Sequence, residues 1–269
     1  MEDWLTVSSI GQYLRPTHRI GKTIRCFDEI DSTNRYLKDI ARTDGTDGMV
    51  VLSNAQSGGR GRMGRQFQSP KGKGIYFSVL LQGGLTGEQM MPFTAMAGLA
   101  VCRSIERVCG LRPVLKWPND LLLKEKKICG ILAELVTSPQ REPAVVLGIG
   151  INVSQTAEDF TPEVAEIAAS LQQIAGREVS RPQLAAALIE ELDQAYDALL
   201  SDDWEGCVED YRSRCAHIGK PVRLLPMGGV PEVVTVLDVD KHFGLVVQDA
   251  AGEIRVLRTG EISVRPYGK

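Results

Sequence analysis

The sequence predicts an α/β fold of the α+β type, with strands and helices mixed along most of the chain and a small β-barrel at its end. Three observations carry this prediction. Short apolar runs bounded by turn residues indicate strands, two long segments show helical spacing of apolar residues, and Gly219–Lys269 consists of short β runs separated by turn signals. The 269 residues suffice for a large and a small domain, which we place at 1–218 and 219–269.

The first predicted elements surround a glycine-rich loop. Ile24–Phe27 is the first predicted strand, and Asp31-Ser32-Thr33-Asn34 supplies capping residues for the helix that follows it. Met49–Asn54 predicts a strand that enters the loop, and Gly74–Leu81 predicts a strand that leaves it. The loop therefore starts and ends at a strand.

Helices and three more strands follow. A helix begins near Pro92 and ends at Gly110, and its apolar stripe marks a face buried in the core. Pro162 lies at the start of another helical pattern, and Arg181–Leu200 forms a third helix that helps to cap the large domain. The strands predicted between these helices are Val114–Trp117, Lys127–Val136 and Ala144–Ile151.

Composition excludes several classes of protein. The chain is 43% hydrophobic and 24% charged, as in ordinary soluble proteins, and its net charge of −3 argues against a general nucleic-acid binder. No apolar run reaches the roughly 18 residues that a membrane span needs, and no signal-peptide core follows Met1, so we expect a cytoplasmic protein. Six cysteines without a CxxC pair and three scattered histidines predict reduced thiols and no metal site.

The most informative segment is Ser57–Arg65, which packs four glycines and three arginines into one loop. Glycine lets the backbone approach a ligand closely, and each guanidinium offers a permanent charge and a planar fork of donors. From Met49 to Gly87 the chain carries five basic residues and no acid. The loop therefore predicts a site for an anion.

Three other interpretations of this loop differ in the sequence context that they require. Gly59–Gly64 matches the dinucleotide pattern GxGxxG, but that fingerprint needs a helix directly after the glycines and an acid about 20 residues on. Here a strand follows and the next acid is Glu88. A Walker loop fails because the Gly-Lys-Ser/Thr ending is absent. A disordered, RGG-like RNA-binding segment stays an alternative, although the strand-like flanks disfavour it.

Two further motifs carry polar groups at strand ends. Lys116-Trp117-Pro118-Asn119-Asp120 places an aromatic face, an amide and a carboxylate at one turn, although alone it also fits an ordinary hairpin with Lys124–Lys127 at its tip. In Gly148-Ile149-Gly150-Ile151-Asn152-Val153, glycines at alternate strand positions clear one face for a flat ligand, or serve packing alone. Neither motif decides the function by itself.

Taken in order, these motifs resemble the biotin protein ligase family. The resemblance covers Cys26–Val153 closely, including Lys127 with Gly130-Ile131-Leu132, and the tail after Gly219 resembles the small C-terminal SH3-like domain of that family. It implies a catalytic domain with a central mixed β-sheet flanked by helices, related to the class II aminoacyl-tRNA synthetase fold. It also implies a form without the N-terminal DNA-binding module of many members, because few residues precede the first predicted strand.

The resemblance implies a two-step reaction with biotin, ATP and Mg²⁺. Biotin's carboxylate attacks the α-phosphate of ATP to give biotinyl-5′-AMP, and a lysine of a biotin carboxyl carrier protein then attacks this anhydride. The implied catalytic residues are Arg60, Arg62, Lys116, Asp120 and Lys127. The implied biotin-binding residues are Ser32, Thr33, Asn34, Gln56, Gly59, Arg60, Gly61, Arg62, Lys127, Gly130, Gly148 and Gly150. The implied ATP and adenylate contacts are Arg62, Lys116, Trp117, Asn119 and Asn152.

Roles for some of these residues also follow from the resemblance. Permanent cations, above all Arg60, Arg62 and Lys127, would neutralise the charge of two anionic substrates. Asp120 would orient or deprotonate the acceptor lysine, and Trp117 would shield or stack on the adenylate. The alternatives are a lipoate protein ligase and a non-catalytic vitamin or nucleotide sensor. No DNA or membrane binding is expected, and a homodimer stays open.

Overall fold

The computed structural model describes residues 3–43, 45–82, 85, 87–139, 141–226, 229–258 and 262–266, and its strands form two sheets. The first sheet contains β1 (Ile24–Phe27), β2 (Val50–Ser53), β3 (Gly74–Leu81), β4 (Val114–Lys116), β5 (Asp120–Leu123), β6 (Lys126–Ser138) and β7 (Arg141–Asn152). Its order is β1-β2-β3-β7-β6-β5-β4, with β1 and β2 parallel and every other neighbouring pair antiparallel. The predicted mixed sheet is thereby confirmed.

Helices cover this sheet on both faces. They are α1 (Val7–Gly11), α2 (Thr33–Ala41), α3 (Met90–Cys109), α4 (Pro162–Ala165), α5 (Leu171–Ala175), α6 (Arg181–Leu200) and α7 (Glu205–Arg214). Short 3₁₀ turns lie at Arg62–Gly64, Gly87–Gln89 and Ala157–Asp159. Across the described ranges, none of these helices has the length and apolar character needed to cross a membrane.

Alternation along the strands explains why helices pack on both faces. Val51 and Leu80 belong to a small core cluster with Leu37 of α2. Their neighbours Val50 and Val79 belong to the main core, which includes the apolar residues of α3 and α6. Because successive side chains of a strand point to opposite faces, the buried apolar residues at neighbouring positions of β2 and β3 require a covering layer on each side.

Sequence signals set the ends of the two long helices. Gly110 ends α3 in the left-handed conformation with φ 70°, which glycine adopts without a steric penalty. Ser180 Oγ accepts a hydrogen bond from the Gln183 N–H at the start of α6, and Pro182 occupies the first turn. Both predicted helices are confirmed, whereas the helix predicted at Pro162 is the single turn α4.

The prediction missed α1, β5, α5 and α7. β5 and β6 form a hairpin whose turn residues Lys124 and Glu125 have φ values of 48° and 64°. Such turns are normally signalled by glycine or asparagine, and neither residue occurs at this turn. The strand predicted at Val114–Trp117 also ends one residue earlier, at Lys116.

The second sheet follows the long helices. It contains β8 (Pro221–Pro226), β9 (Glu232–Val239), β10 (Leu245–Gln248), β11 (Ile254–Leu257) and β12 (Ile262–Pro266), in the antiparallel order β11-β10-β9-β8-β12. This small sheet agrees with the predicted β-rich tail. Residues 227–228, 259–261 and 267–269 of that prediction lie outside the described residues.

Candidate active site

A cleft with a cavity volume of about 50 Å³ lies against the large sheet, beneath the loop that joins β2 and β3. α2, β3, β6 and β7 supply its walls. The predicted site residues that line it are Ser32, Thr33, Asn34, Gln56, Arg60, Gly61, Arg62, Asn119, Lys127, Gly130, Gly148 and Gly150. The fold therefore brings residues of every motif singled out in the sequence to one cavity.

Uncharged polar groups form one end of the cleft, at the start of α2. The Thr33 N–H donates to Gln56 Oε1 at 2.9 Å, and Gln56 Nε2 donates to Ser69 Oγ at 3.1 Å. The buried Ser78 Oγ lies 2.7 Å from Thr33 Oγ1. These contacts fix the Gln56 amide and hold hydroxyl groups beside the cavity, so this end of the cleft offers neutral donors and acceptors.

Two glycines of β7 make room for protein side chains in the wall of the cleft. A Cβ at Gly148 would lie 2.2 Å from Asn34 Oδ1, and a Cβ at Gly150 would lie 2.6 Å from the Phe67 ring. Asn34 and Phe67 thus occupy the space that the glycines leave. The packing interpretation of these glycines explains their positions, and their backbones still line the cleft.

Arg62 ties the covering loop to the motif at the end of β4. Its Nη1 donates to Asn119 Oδ1 at 2.5 Å, while Asn119 Nδ2 donates to the Ile131 carbonyl at 2.9 Å. Burial lowers the pKa of Arg62, Asp120 opposes this shift, and Arg65 adds to it. The loop is therefore closed over the cleft with a guanidinium at its inner side.

The two limbs of the loop pair closely. The Phe67 N–H donates to the Gly59 carbonyl at 3.0 Å, and a Cβ at Gly59 would lie 2.4 Å from the Phe67 carbonyl oxygen. At the tip, Met63 and Gly64 have φ values of 57° and 71°. Gly59 does not line the cleft, and its contribution here is to let the limbs approach.

Lys127 and Asp120 form an ion pair beside the cleft, with Lys127 Nζ 2.6 Å from Asp120 Oδ1. The Lys127 backbone is bound on both sides, because its N–H donates to the Ile167 carbonyl at 2.7 Å and its carbonyl accepts from the Ala169 N–H at 3.0 Å. The backbone that carries the Lys127 side chain is thus held in place, and the ammonium group lies next to a carboxylate.

Other predicted nucleotide contacts lie outside the lining of the cleft. The Trp117 indole is 2% exposed, and its Nε1 donates to the Phe243 carbonyl at 3.0 Å, in the turn before β10. Asn152 is buried, and its Nδ2 donates to the Ala169 carbonyl at 3.2 Å. Lys116 borders a shallow crevice that Asn119 and Asp120 also line. In this closed arrangement Trp117 and Asn152 bind other parts of the protein and do not line the cleft.

Aromatic residues outside the predicted site also line the cleft. Phe67, Tyr76 and Phe77 are lining residues, and the Tyr76 hydroxyl donates to the Pro70 carbonyl at 2.8 Å. Burial raises the pKa of Tyr76 above its usual value. Phe67 could have been found from its place directly after the arginine-rich loop, whereas Tyr76 and Phe77 lie in a strand that resembles ordinary core.

One group of side chains with metal-ligand chemistry lies away from the cleft. His18, Asp193 and Asp197 approach one another, but the Asp193 carboxylate accepts the backbone N–H groups of His18, Arg19 and Ile20. Arg19 also pairs with Asp197 at 3.2 Å. These contacts anchor the segment before β1, and they account for the cluster without a metal.

The fold is a mixed α/β fold, and its cleft combines cationic side chains with neutral polar groups. Residues 26–152 match the biotin/lipoate A/B protein ligase family. The chain is 32% identical over 224 residues to the biotin--[acetyl-CoA-carboxylase] ligase of Mycobacterium tuberculosis, covering 80% of this chain and 79% of that protein. The chain belongs to the biotin/lipoate A/B protein ligase family.

Other relatives extend this result. The chain is 32% identical over 209 residues to the bifunctional ligase/repressor BirA of Bacillus subtilis, and the match covers 78% of this chain but 60% of that protein. The chain thus spans about 60% of the length of that relative. The solved biotin protein ligase from Aquifex aeolicus in complex with biotin and ATP has a TM-score of 0.81 and 26% identity, covering 91% of this chain and 99% of that one. This similarity confirms the large mixed sheet flanked by helices.

Proposed function

We propose that the chain is an ATP-dependent biotin protein ligase, which activates biotin to biotinyl-5′-AMP and transfers it to a lysine of a biotin carboxyl carrier protein. The observation that carries the proposal is a single cleft in which Arg62 and Lys127 accompany a neutral polar end around Thr33 and Gln56. A relative is named as a biotin ligase, and a solved neighbour holds biotin and ATP.

The neutral end suits the ureido ring of biotin. A cyclic urea has two N–H donors and one carbonyl acceptor, and burying them without partners is costly. Ser32, Thr33 and Gln56 supply hydroxyl and amide groups on this side of the cleft. A dithiolane ring has no such donors, so this end favours biotin over lipoate.

The cationic part of the cleft serves the first step. A carboxylate oxygen of biotin attacks the α-phosphorus of ATP, the bond from that phosphorus to the bridging oxygen breaks, and diphosphate leaves. Two anions repel each other, so Arg60, Arg62 and Lys127 lower the barrier by neutralising charge and holding the reactants together. Lys116 would act on the phosphate side.

Asp120 serves the second step. The ε-amine of the acceptor lysine attacks the acyl carbon of the adenylate, AMP leaves with the electrons of the broken C–O bond, and the amine loses a proton. Asp120 forms an ion pair with Lys127. When Lys127 turns to the ligand, the Asp120 carboxylate becomes available to orient the amine and accept its proton.

Mg²⁺ would enter as the complex with ATP. Among the described residues that line the cleft there is no carboxylate, and the nearby Asp120 is paired with Lys127. The nucleotide's phosphates would therefore supply most of the ion's ligands, since Mg²⁺ commonly binds through substrate phosphates and water. We further propose a cytoplasmic enzyme whose residues 219–269 form a separate SH3-like domain.

Transfer assays test the proposal directly. The purified chain, ATP and MgCl₂ are incubated with a biotin carboxyl carrier domain and either biotin or lipoate, and intact mass of the carrier and release of AMP are followed. We expect biotin to be attached and a carrier with its acceptor lysine replaced by arginine to stay unmodified. Attachment of lipoate without biotin, or no AMP formation with either acid, would contradict the proposal.

A further inference from the structure

Behind the neutral end of the cleft, Asn34 contacts an ion pair that does not line the cavity. Lys38 Nζ of α2 lies 2.7 Å from Glu134 Oε1 of β6, and Glu134 Oε2 accepts from Asn34 Nδ2 at 2.9 Å. We propose that Glu134 is a positioning residue, which fixes the pattern of donors and acceptors that the cleft presents to the biotin ring. The inference rests on the proposed function.

The Asn34 amide has one orientation because Glu134 accepts only. An ionised carboxylate has no proton to donate, so the NH₂ group of Asn34 must face it. The Leu132 carbonyl, 3.5 Å from Asn34 Nδ2, is a second acceptor on the same side. Asn34 Oδ1 therefore points the opposite way, where Ser78 Oγ lies at 2.5 Å and donates to it.

This orientation continues to the cleft through Ser78. The serine hydroxyl has a single proton, which its bond to Asn34 uses. Toward Thr33 Oγ1, at 2.7 Å, Ser78 can then only accept, so the Thr33 hydroxyl donates to Ser78 and not to Gln56 Oε1, which lies 3.1 Å from Thr33 Oγ1. Thr33 and Gln56 line the cleft, so the lone pairs of Thr33 Oγ1 and the second lone pair of Gln56 Oε1 stay available to an N–H of a cyclic urea.

Packing leaves the Asn34 amide little freedom except a flip in place. Asn34 is 5% exposed, and its Oδ1 fills the space above Gly148. A flip would exchange NH₂ and oxygen, so that Asn34 would donate to Ser78. Ser78 would then donate to Thr33, and the Thr33 hydroxyl would donate to Gln56 Oε1 at 3.1 Å, so that lone pairs of both residues would no longer be available to the ligand.

Glu134→Gln should cause this flip. The carboxylate serves two partners with two oxygens, Lys38 at 2.7 Å and Asn34 at 2.9 Å. Glutamine has one oxygen, and the Lys38 ammonium attracts it, which turns the glutamine NH₂ toward Asn34. The double variant Glu134→Gln with Lys38→Met also lacks the ammonium group. The glutamine can then turn its side-chain oxygen back to Asn34.

Calorimetric titration with biotin alone tests this chain of contacts. We expect Glu134→Gln to weaken biotin binding about tenfold, in line with the loss of about one hydrogen bond to the ligand. Lys38→Met should weaken it by about twofold to threefold only, and the double variant should recover most of the affinity lost by Glu134→Gln. The matched control is Glu142→Gln, at an exposed glutamate on β7.

Steady-state kinetics separate positioning from loss of structure. Glu134→Gln should raise the KM for biotin, while the KM for ATP and kcat at saturating biotin stay within about twofold of the unchanged chain. Equal losses in Glu134→Gln and in the double variant would overturn the inference, as would unchanged biotin affinity in Glu134→Gln. If the unchanged chain binds no biotin, the proposed function itself fails.

Discussion

Lys127 and Asp120 meet across Gly130, with Lys127 Nζ 2.6 Å from Asp120 Oδ1. Asp120 and Gly130 are paired residues of β5 and β6, and a Cβ at Gly130 would lie 3.1 Å from Lys127 Nζ. The missing side chain therefore clears the path along which the lysine reaches the carboxylate. An anionic ligand competes with Asp120 for the Lys127 ammonium. Binding of the ligand to Lys127 is therefore linked to release of the Asp120 carboxylate.

Asp120→Asn separates the two steps of the proposed reaction. The variant keeps a side chain of the same shape but cannot accept the proton of the acceptor lysine, so transfer from preformed adenylate should slow about 100-fold. Adenylate formation should continue, because Lys127 gains freedom to contact the ligand. Single-turnover transfer and diphosphate release measure the two steps. An equal loss in both would remove the assigned role of Asp120.

Lys127→Ala should act on the first step. Removing the ammonium takes away a charge that the cleft directs at the reacting anions, and we expect adenylate formation to slow about 100-fold. Lys124→Asn is the matched control, because Lys124 is exposed at the turn before β6 and asparagine tolerates its φ of 48°. Diphosphate release under saturating ATP gives the rate. Similar rates for both variants would exclude a special role for Lys127.

Arg62→Ala should open the cover of the cleft. The loop loses the Arg62 hydrogen bond to Asn119 and the buried charge next to the ligand, so adenylate should escape about tenfold or more faster. Arg65→Ala is the control, because Arg65 is exposed and does not line the cleft. Release of radiolabelled adenylate in a chase experiment reports the rate. Equal release from both variants would show that loop charge alone, and not the Asn119 contact, retains the adenylate.

The fold could be predicted wherever periodicity and caps were clear. The eight buried residues of Gly74–Leu81 and the apolar stripe of α3 left little choice of structure. The hairpin turn at Lys124 and Glu125 could not be predicted, because both residues take positive φ without glycine or asparagine. Pairing of β5 and β6 with their neighbouring strands stabilises that turn. These contacts cannot be inferred from the sequence of the turn alone.

For the site, sequence motifs predicted which segments meet and not which way each side chain points. The KWPND motif reaches the cleft through Asn119, whereas Trp117 turns to the Phe243 carbonyl and is buried. Ser78 and Glu134 escaped notice because one lies within an apolar strand and the other in a strand of irregular alternation. Their roles depend on partners from α2, which only the folded chain brings near.

Gly148→Ala should disrupt the neutral end of the cleft. The new methyl group would lie 2.2 Å from Asn34 Oδ1, and the crowded amide must move, at a cost of about 1–3 kcal/mol in unfolding free energy. Biotin affinity should fall with it. Gly206→Ala is the control, since nothing lies near its Cβ position in α7, and it should leave affinity unchanged and add about 0.4–1 kcal/mol of stability. Urea unfolding and calorimetry measure both effects; a neutral Gly148→Ala would refute the close packing.

His217 should make the folded chain sensitive to acid. It is 4% exposed, and burial, with smaller effects of Lys116 and Lys220, lowers its pKa from 6.5 to about 4. The folded chain therefore holds it neutral, while the unfolded chain takes up a proton below pH 6.5. Its contribution to stability is complete above pH 6.5 and is lost as the pH falls toward 4.

His217→Gln isolates this effect from the carboxylates, which also titrate in acid. Since one pKa unit corresponds to about 1.4 kcal/mol, the unchanged chain should lose about 2–3 kcal/mol more unfolding free energy than the variant between pH 7.5 and pH 4.5. Urea unfolding at a series of pH values gives the difference. Parallel curves for the unchanged chain and His217→Gln would mean that the folded chain protonates His217 as readily as the unfolded one, because only a pKa difference between the two states changes the slope.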